Sequence, residues 1–514
     1  MANTLIYDVQ DKPKFSNMLL FALQQLLAIL AATIAVPTII GIPTQIPAAI
    51  FGAGVGTLVY QLFTRRKSPV FLGSSFAFLD SLGVALAFGY CGIVIGSIVA
   101  GLVYVVLSLI IKFVGKDWIT KLMPPVIIGP TVTLIGLSLA GAAMGDIVKA
   151  NSSAVFGSYN LIALLCGVVT FATVILCSTQ KKSTMPRLIP FILGIAAGYA
   201  VASIFTAIGM AANIDYFKII NWQPVIDNFV NADGTFKGLS AFISVPKFSL
   251  FEAIKELSSG TLSSEILAAN EGAAVITGAG VIEVIVAFLP VALVVFAEHI
   301  ADHKNLSSII DKDLINDPGL ENTLLGDGVG SIAGTLFGVC PNTTYGESVG
   351  CVAITKNASV ATITTTAIMC IILSFISPIT SILQTIPSCV MGGVCLTLYG
   401  FIAVSGLRMF KDLDLNENKN LFVVAAILIS GIGGLSIQIP YAFDAVTGAV
   451  TDFIKITPIA TALLLGIATN AILTALENSP WGKEPESVAT VPTTEPTVQE
   501  TECECCAECA EKGE

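Results

Sequence analysis

The sequence contains few charged side chains. Asp, Glu, Lys and Arg together make up 12% of its 514 residues, whereas a soluble protein carries roughly 25%. The mean hydropathy is +0.84, and 54% of the residues are apolar. This shortage of charge excludes a soluble enzyme and a secreted disulfide-rich protein as descriptions of the whole chain. The net charge of −11 and the lack of a basic face exclude a nucleic-acid-binding protein.

The sequence has instead a succession of apolar runs, each long enough to cross roughly 30 Å of hydrocarbon. We count fourteen runs, at residues 16–36, 46–63, 70–88, 91–114, 119–141, 158–178, 187–211, 279–301, 323–339, 340–356, 358–378, 383–405, 420–438 and 440–475. Most of the 25 Lys and Arg residues follow even-numbered runs or lie near the termini. Because basic residues favour the cytoplasmic side, both termini are predicted to be cytoplasmic. The sequence therefore predicts an all-α polytopic membrane protein with fourteen transmembrane segments.

A polar stretch over residues 212–278 divides these segments into two sets of seven. An odd number per set means that the second set enters the membrane inverted, which is the plan of many secondary transporters. The predicted organisation is a cytoplasmic N-terminus (1–15), a first repeat (16–211), an extracellular loop (212–278), a second repeat (279–475) and a disordered cytoplasmic tail (476–514). Four cysteines of the tail could bind a soft metal, be acylated or have no function: Cys503, Cys505, Cys506 and Cys509.

The third segment of each set opens with residues that favour extended backbone. Residues 70–76 are rich in Gly and Ser, and residues 340–346 contain Pro341, two threonines and Tyr345. Broken backbone at membrane depth is tolerated only where protein or a water-filled cavity satisfies its polar groups. The sequence therefore predicts short extended strands in segments 3 and 10, and a binding site near the midplane.

Carboxyl groups inside apolar runs are candidates for function, because charge there is expensive. The candidates are Asp80, Glu298, Asp302, Asp327, Glu347, Asp444 and Asp452. Glu347 begins the helical part of segment 10, where backbone N–H groups lack partners. Glu298 and Glu347, with the two backbone breaks, suit a flat neutral ring with alternating N–H and C=O groups. Asp302 shares a helical face with Glu298 and is either a proton relay or a residue at the cytoplasmic end of the segment. We expect the other four to be structural.

The two histidines of the chain, His299 and His303, lie one helical turn apart. No third metal ligand is evident, and the glutamate of an H-E-x-x-H zinc site is missing. The sequence also shows no pairing of a nucleophile with a base and no cofactor-binding loop. We therefore expect no metal, no cofactor and no enzymatic activity.

Residues 341–356 resemble the signature of the nucleobase/ascorbate transporter family, in particular that of its bacterial uracil-transporting branch. The signature positions are Glu347, Ser348, Val349, Gly350, Thr355 and Lys356. Residues 73–78 and 297–300 also resemble motifs of this family, and the resemblance extends over essentially residues 12–475. It implies a carrier that imports uracil by proton symport and alternating access, located in the plasma (cell inner) membrane.

The resemblance also implies roles for individual residues. The substrate-binding candidates are Glu298, Glu347, Phe76, Gly346, Tyr345 and Ser75. The two carboxylates would hydrogen-bond the pyrimidine, the backbone N–H groups of Phe76 and Gly346 would meet its carbonyl oxygens, and Tyr345 and Phe76 would supply ring surface. The candidates for proton coupling are Glu298, Asp302 and Glu347. Segments 1–4 and 8–11 would form a core domain and the others a gate domain, through which members of the family often dimerise.

Three positions depart from the family pattern. Gln24-Gln25 replaces the usual Gln-His pair, Ser348 replaces an asparagine, and Asp302 stands where uracil carriers commonly have a histidine. Two rival functions remain: a xanthine or urate carrier of the same family, and an anion transporter of the related sulfate-transporter fold. Glu347 disfavours the first, since purine carriers usually have Gln there, and an acidic site disfavours the second.

Overall fold

The computed structural model describes residues 5–149, 159–182, 184–231, 233–443, 450–477 and 479, and it is mostly helical. The α-helices are α1 Phe15–Ile39, α2 Ile46–Phe63, α3 Leu79–Leu86, α4 Gly89–Val114, α5 Asp117–Leu122, α6 Pro125–Ser138, α7 Ala140–Asp146, α8 Leu161–Thr179, α9 Thr184–Leu188, α10 Pro190–Ala212, α11 Gln223–Phe229, α12 Ser249–Ser259, α13 Ser264–Ala269, α14 Gly278–Ile310, α15 Leu320–Phe337, α16 Gly346–Thr355, α17 Val360–Ser374, α18 Ser377–Gln384, α19 Ser388–Arg408, α20 Asn418–Ile432 and α21 Pro458–Glu477. The strands are β1 Leu72–Ser74, β2 Asn342–Thr344, β3 Ile437–Phe443 and β4 Val450–Ile456. Internal contacts divide the chain into residues 1–469 and 470–514, and the described part of the second unit is the end of α21 and Ser479.

Several helices are long and apolar enough to cross a membrane. Within the described ranges there are nine, namely α1, α2, α4, α6 continued by α7, α8, α10, α14, α19 and α21. Pro125, Pro190 and Pro458 stand at the first positions of α6, α10 and α21, where the missing N–H of proline costs no hydrogen bond. The chain is therefore a multi-pass membrane protein.

Helices α2 and α15 pack with their backbones in close approach. A methyl group on Gly330 would lie 2.7 Å from the carbonyl oxygen of Gly56, and one on Gly52 would collide with the carbonyl oxygen of Gly334. Small residues at such positions let membrane helices approach closely. Helix α15 also packs on α4, and α2 on α17, whereas α19 packs on α6 and α8. The helices thus associate in two groups, one around α15 and one around α19.

Strands β1 and β2 join the two segments in which helix was predicted to break. They pair antiparallel, with Gly73 opposite Thr343. Side chains of the flanking helices satisfy two further backbone groups: Thr57 of α2 accepts from the N–H of Leu72 at 2.9 Å, and Ser331 of α15 accepts from the N–H of Asn342 at 2.9 Å. Broken backbone is therefore tolerated here because protein groups replace the missing helical hydrogen bonds.

The region after α20 differs from the prediction. The apolar run at 440–475 was expected to be one transmembrane segment, but β3 and β4 form an antiparallel hairpin and helix begins only at Pro458. The strands combine β-branched and aromatic residues, such as Ile437, Ile439 and Phe453, which favour extended backbone. The prediction of a helical segment from residue 440 is therefore wrong, because hydropathy alone does not distinguish an apolar strand from a helix.

The polar stretch at 212–278 and the N-terminal segment both pack on the helices around α15. In the polar stretch, the ring of Phe248 lies 4.8 Å from that of Phe51 and 5.2 Å from that of Phe337. In the N-terminal segment, the carbonyl oxygen of Tyr7 accepts from the N–H of Ala358 at 2.9 Å. The polar stretch and the N-terminal segment each contact elements that are distant from them in sequence.

Candidate functional site

The candidate site lies where the two broken segments turn into helix. After β1 the chain forms a short 3-10 helix over Phe76–Phe78 and then α3, and after β2 it enters α16 directly at Gly346. The first backbone N–H groups of a helix have no acceptor within the helix. A methyl group on Gly346 would meet no heavy atom within 4 Å, so there is open space beside this residue. Donor groups therefore border free volume at the start of α16.

Glu298 and Glu347 approach this region from different helices. Glu298 is on α14 and Glu347 is in the first turn of α16, and both are half-buried. The carboxylate of Glu298 interacts electrostatically with those of Asp302 and Glu347. Its Oε2 atom is buried without a hydrogen-bond partner among the described residues. The carboxylates can therefore accept hydrogen bonds from an added ligand.

Asp302 lies one turn after Glu298 on α14 and is held by the second broken segment. Its Oδ2 atom accepts a hydrogen bond from the hydroxyl of Thr344 at 2.6 Å, and its side chain is 5% exposed. Asp302 is therefore a buried residue that is hydrogen-bonded to the second broken segment.

Tyr345, Ser75 and Phe76 have different surroundings. The hydroxyl of Tyr345 donates to the carbonyl oxygen of Ser74 at 3.2 Å, and its ring covers Gly73. The Ser75 hydroxyl is buried without a partner among the described residues. Phe76 is buried. The first backbone N–H groups of α16 belong to the other broken segment, whose strand β2 pairs with β1. Tyr345 thus holds the two segments together, whereas Ser75 has an unused hydrogen-bonding group.

Two contacts at this site were not predicted from the sequence. The ring of Tyr399 on α19 lies 5.3 Å from that of Phe76, edge to face, and so joins the two groups of helices. The side chain of Gln25 donates to the hydroxyl of Ser348 at 2.5 Å. Gln25 and Ser348 are two of the positions that depart from the family pattern. Because both positions differ together, the sequence contained a signal that could have predicted their contact. For Tyr399 we find no comparable signal.

The remaining ionisable candidates lie in several places. Asp80 is exposed on α3 and interacts electrostatically with Lys455. Asp327 is fully buried and contacts His299. Asp444 lies outside the described residues, as do the four cysteines of the tail, and the side chain of Asp452 is likewise not described. Among the residues that are described, no three His, Cys, Asp or Glu side chains are grouped as metal ligands would be.

Sequence comparison assigns the class of protein. The sequence matches the Permease family over residues 16–439, which is most of the chain, and the chain belongs to this family. Permeases are transporters and not enzymes. The resemblance of residues 341–356 to a family of transporters is thereby confirmed.

Three individual relatives of the chain are uracil permeases. The chain is 34% identical to the uracil permease of Bacillus caldolyticus, covering 92% of this chain and 95% of that protein. It is 34% identical to the uracil permease of Bacillus subtilis (strain 168), covering 90% and 94%. It is 31% identical to the uracil permease of Escherichia coli (strain K12), covering 84% and 88%.

A solved structure shares the fold. The inward-facing murine Solute Carrier 26 family member A9 anion transporter aligns with a TM-score of 0.55 and 10% identity, covering 91% of this chain and 69% of that one. At this identity the likeness concerns the fold alone. The chain therefore has the helical architecture of a known transporter fold.

Proposed function

We propose that the chain imports uracil by proton symport through alternating access, in the cell inner membrane with both termini in the cytoplasm. Three relatives that align along most of their length are uracil permeases. Uracil is a flat neutral ring whose N–H groups donate and whose carbonyl oxygens accept hydrogen bonds. The site has to offer acceptors and donors at matching positions.

One observation carries the proposal: buried polar groups without partners lie on the first broken segment and on α14, which packs against α16. Glu298 Oε2 and the Ser75 hydroxyl are buried without a hydrogen-bond partner in the described ranges, and Gly346 borders open space. An unsatisfied buried polar group costs roughly 1–3 kcal/mol. A ligand that pairs with these groups relieves that cost, which favours binding of a ring with both donors and acceptors.

We further propose fourteen segments in two inverted sets of seven, with α3 and α16 as the helical parts of segments 3 and 10. The packing around α15 and around α19 supports a core domain moving against a gate domain. The contact between Phe76 and Tyr399 is where the two groups meet at the site. A homodimer through the gate domain is proposed on the family resemblance alone.

The proposal is tested by radiolabelled uracil uptake in cells that lack their own pyrimidine and purine permeases. We expect uptake that a protonophore abolishes and that excess xanthine leaves unchanged. Glu298→Gln and Glu347→Gln should each lower uptake at least about 100-fold, because the amide that replaces each carboxylate has no negative charge, has one acceptor oxygen instead of two and cannot take up a proton. Protein at the membrane is measured by immunoblot for each variant.

Glu271→Gln is the matched control, because Glu271 is an exposed carboxylate in the polar stretch. It should transport as the unaltered chain does. Xanthine uptake without uracil uptake would assign the chain to the purine carriers. Uptake of an inorganic anion instead of uracil would contradict the proposal. So would an unaltered chain that is present at the membrane but takes up none of these substrates.

A further inference from the structure

A buried pair of titratable side chains connects α14 and α15 beside the site. Nδ1 of His299 lies 2.7 Å from Oδ2 of Asp327, and Nε2 lies 3.1 Å from the hydroxyl oxygen of Thr323. The Thr323 hydroxyl also lies 3.1 Å from the carbonyl oxygen of Leu320, to which it can donate. All three side chains are 0% exposed. Both imidazole nitrogens therefore have protein partners and are shielded from solvent in this conformation.

The hydroxyl of Thr323 allows the pair to hold either one or two protons. If Thr323 donates to Leu320, then Nε2 must carry a proton and donate to Thr323, while a second proton lies between Nδ1 and Oδ2. The pair then has no net charge. If the hydroxyl turns to donate to Nε2, that nitrogen has no proton, and the shared proton alone remains. The pair then has a net charge of −1, and both imidazole nitrogens are still hydrogen-bonded.

The surroundings supply no competing cation. The titratable groups that face the pair are Glu298, Asp302 and His303 on α14, Tyr104 on α4, Tyr60 on α2 and, next to Asp302, Glu347 on α16. No lysine or arginine is among these groups in the described part of the chain. Oδ1 of Asp327 has no partner there either, so His299 alone holds this carboxyl group.

His303 adds a second layer to the cluster. Its ring lies 4.1 Å from that of His299, and its Nδ1 donates to the backbone carbonyl of His299 at 2.8 Å. Its Nε2 lies 2.8 Å from the hydroxyl of Tyr60. Nδ1 of His303 keeps its proton on the backbone carbonyl, and its Nε2 faces a Tyr60 hydroxyl that can also donate to Ser68 at 2.8 Å. In the described residues His303 has no hydrogen-bonded carboxylate that would balance a second proton, whereas His299 has Asp327. The variable proton is therefore assigned to His299, Asp327 and Thr323.

We propose that His299 and Asp327 are the proton-storing site of the carrier, separate from the carboxylates that contact the substrate. Uptake of one proton at Nε2 of His299, with rotation of the Thr323 hydroxyl, changes the charge of the pair from −1 to zero. Asp327 interacts electrostatically with Glu298, so this change alters the field at a carboxylate of the proposed site. The coupling to transport rests on the proposed function, whereas the storage of a proton does not.

The first test uses no substrate. Infrared difference spectra against pH are recorded on the purified chain and on the Thr323→Val, Asp327→Asn and Thr366→Val variants. We expect a carboxyl band and imidazole bands of the unaltered chain to change with one midpoint. This joint change should vanish in Asp327→Asn, and its midpoint should move by about one pH unit or more in Thr323→Val.

Thr366→Val is the matched control, because Thr366 is a buried threonine on α17 whose hydroxyl bonds only backbone carbonyls. Its spectra should equal those of the unaltered chain. If Asp327→Asn does not fold, Thr323→Val decides, since it removes one hydroxyl at nearly constant volume. Imidazole and carboxyl bands that titrate separately, or a Thr323→Val midpoint equal to that of the unaltered chain, would overturn the proposal.

The second test measures coupling in proteoliposomes. Uracil counterflow at equal pH requires substrate exchange only, whereas uracil-driven proton movement requires a proton to be carried. We expect Asp327→Asn to keep counterflow within about threefold and to lose proton movement at least about tenfold. Equal losses in both assays would overturn the coupling role. Absence of uracil transport by the unaltered chain would contradict the proposed function, while the spectra would still decide on proton storage.

Discussion

The two broken segments have similar backbones and different chemical surroundings. Each has a three-residue strand that leads into a helix, α3 in the first segment and α16 in the second. Each helix has an acidic residue at its second position, Asp80 and Glu347. Asp80 is exposed and interacts with Lys455, whereas Glu347 is half-buried and faces the carboxylates of α14.

This difference shows that position in the fold does not determine the chemistry of a carboxylate. An acidic residue in the first turn of a helix is favoured in both segments by the helix dipole. Asp80 has a cation nearby that balances its charge, whereas the charged neighbours of Glu347 among the described residues are the carboxylates of Glu298 and Asp302. Glu347 therefore requires protons or ligand donors. To the candidate site, the first segment contributes backbone groups, the ring of Phe76 and the hydroxyl of Ser75. The second segment contributes the carboxylate of Glu347.

The largest expected effect comes from breaking the contact between the two segments. A methyl group in Gly73→Ala would overlap the ring of Tyr345, whose hydroxyl is held by Ser74. The ring has to move, and we expect a loss of roughly 1–3 kcal/mol in stability together with a strong loss of uptake. Thermal unfolding in detergent and uracil uptake measure the two effects.

Gly83→Ala is the control within the same segment. A methyl group there meets no heavy atom within 4 Å, and alanine is favoured over glycine in a helix by up to about 1 kcal/mol. This variant should be at least as stable as the unaltered chain. If the two variants behave alike, the contact of Tyr345 with Gly73 does not hold the segments together.

A smaller effect distinguishes the hydroxyl groups of the two segments. The hydroxyls of Ser75 and Thr343 are both buried without a partner in the described ranges, but only Ser75 is a substrate-binding candidate. We expect Ser75→Ala to weaken uracil binding roughly five- to tenfold, which corresponds to about one hydrogen bond, without loss of thermal stability. Thr343→Val should leave binding unchanged. Equal binding by both variants in a scintillation proximity assay would remove Ser75 from the site.

The smallest effect concerns the N-terminal segment, which contacts the end of the second broken segment at Lys356 and the chain after α14 at Lys312. Asp8 accepts a hydrogen bond from Lys312 at 2.6 Å, and this bond holds the pKa of Asp8 below its usual range. Because the folded pKa is the lower one, the pair stabilises the fold above the unfolded pKa and loses its contribution as the pH falls through the folded pKa. Both side chains are almost half exposed, so Asp8→Asn should cost only about 0.2–0.5 kcal/mol at pH 7.

Chemical denaturation of Asp8→Asn, Lys312→Met and the double variant measures this pair by a double-mutant cycle. The coupling should vanish in acid and in roughly 1 M salt. A coupling that persists under both conditions would show that the N-terminal segment is held by something other than this ion pair.

Properties that depend on local sequence were predicted well. The apolar runs at 16–36 and 46–63 match α1 and α2 closely, because the length of an apolar run is a local property. The helix breaks were visible as residues that favour extended backbone. Their pairing register could not be predicted, because it depends on residues that are distant in sequence, and the β3–β4 hairpin was missed because apolar strands and helices have similar hydropathy.

The ionisable residues of the candidate site can be picked out in the sequence, but their contacts cannot. Glu298 and Glu347 stand out in sequence because carboxylates are rare in apolar runs, and their role in binding stays a prediction. The contact of His299 with Asp327 depends on how α14 and α15 are rotated against each other. The periodicity of apolar residues along the chain does not predict that rotation. The contact of Tyr399 with Phe76 also depends on how distant elements pack, and it was not predicted for the same reason.

The pairing of β1 with β2 also has a consequence for biosynthesis. The ribosome completes Leu72–Ser74 long before it reaches Asn342–Thr344, so during that interval the first strand lacks the partner strand that its backbone hydrogen bonds need within the membrane. The first half of the nascent chain can therefore be inserted but cannot finish folding by itself. A chain truncated between the two strands would keep an unpaired strand edge at membrane depth, which the quality-control machinery of the cell could recognise as incomplete.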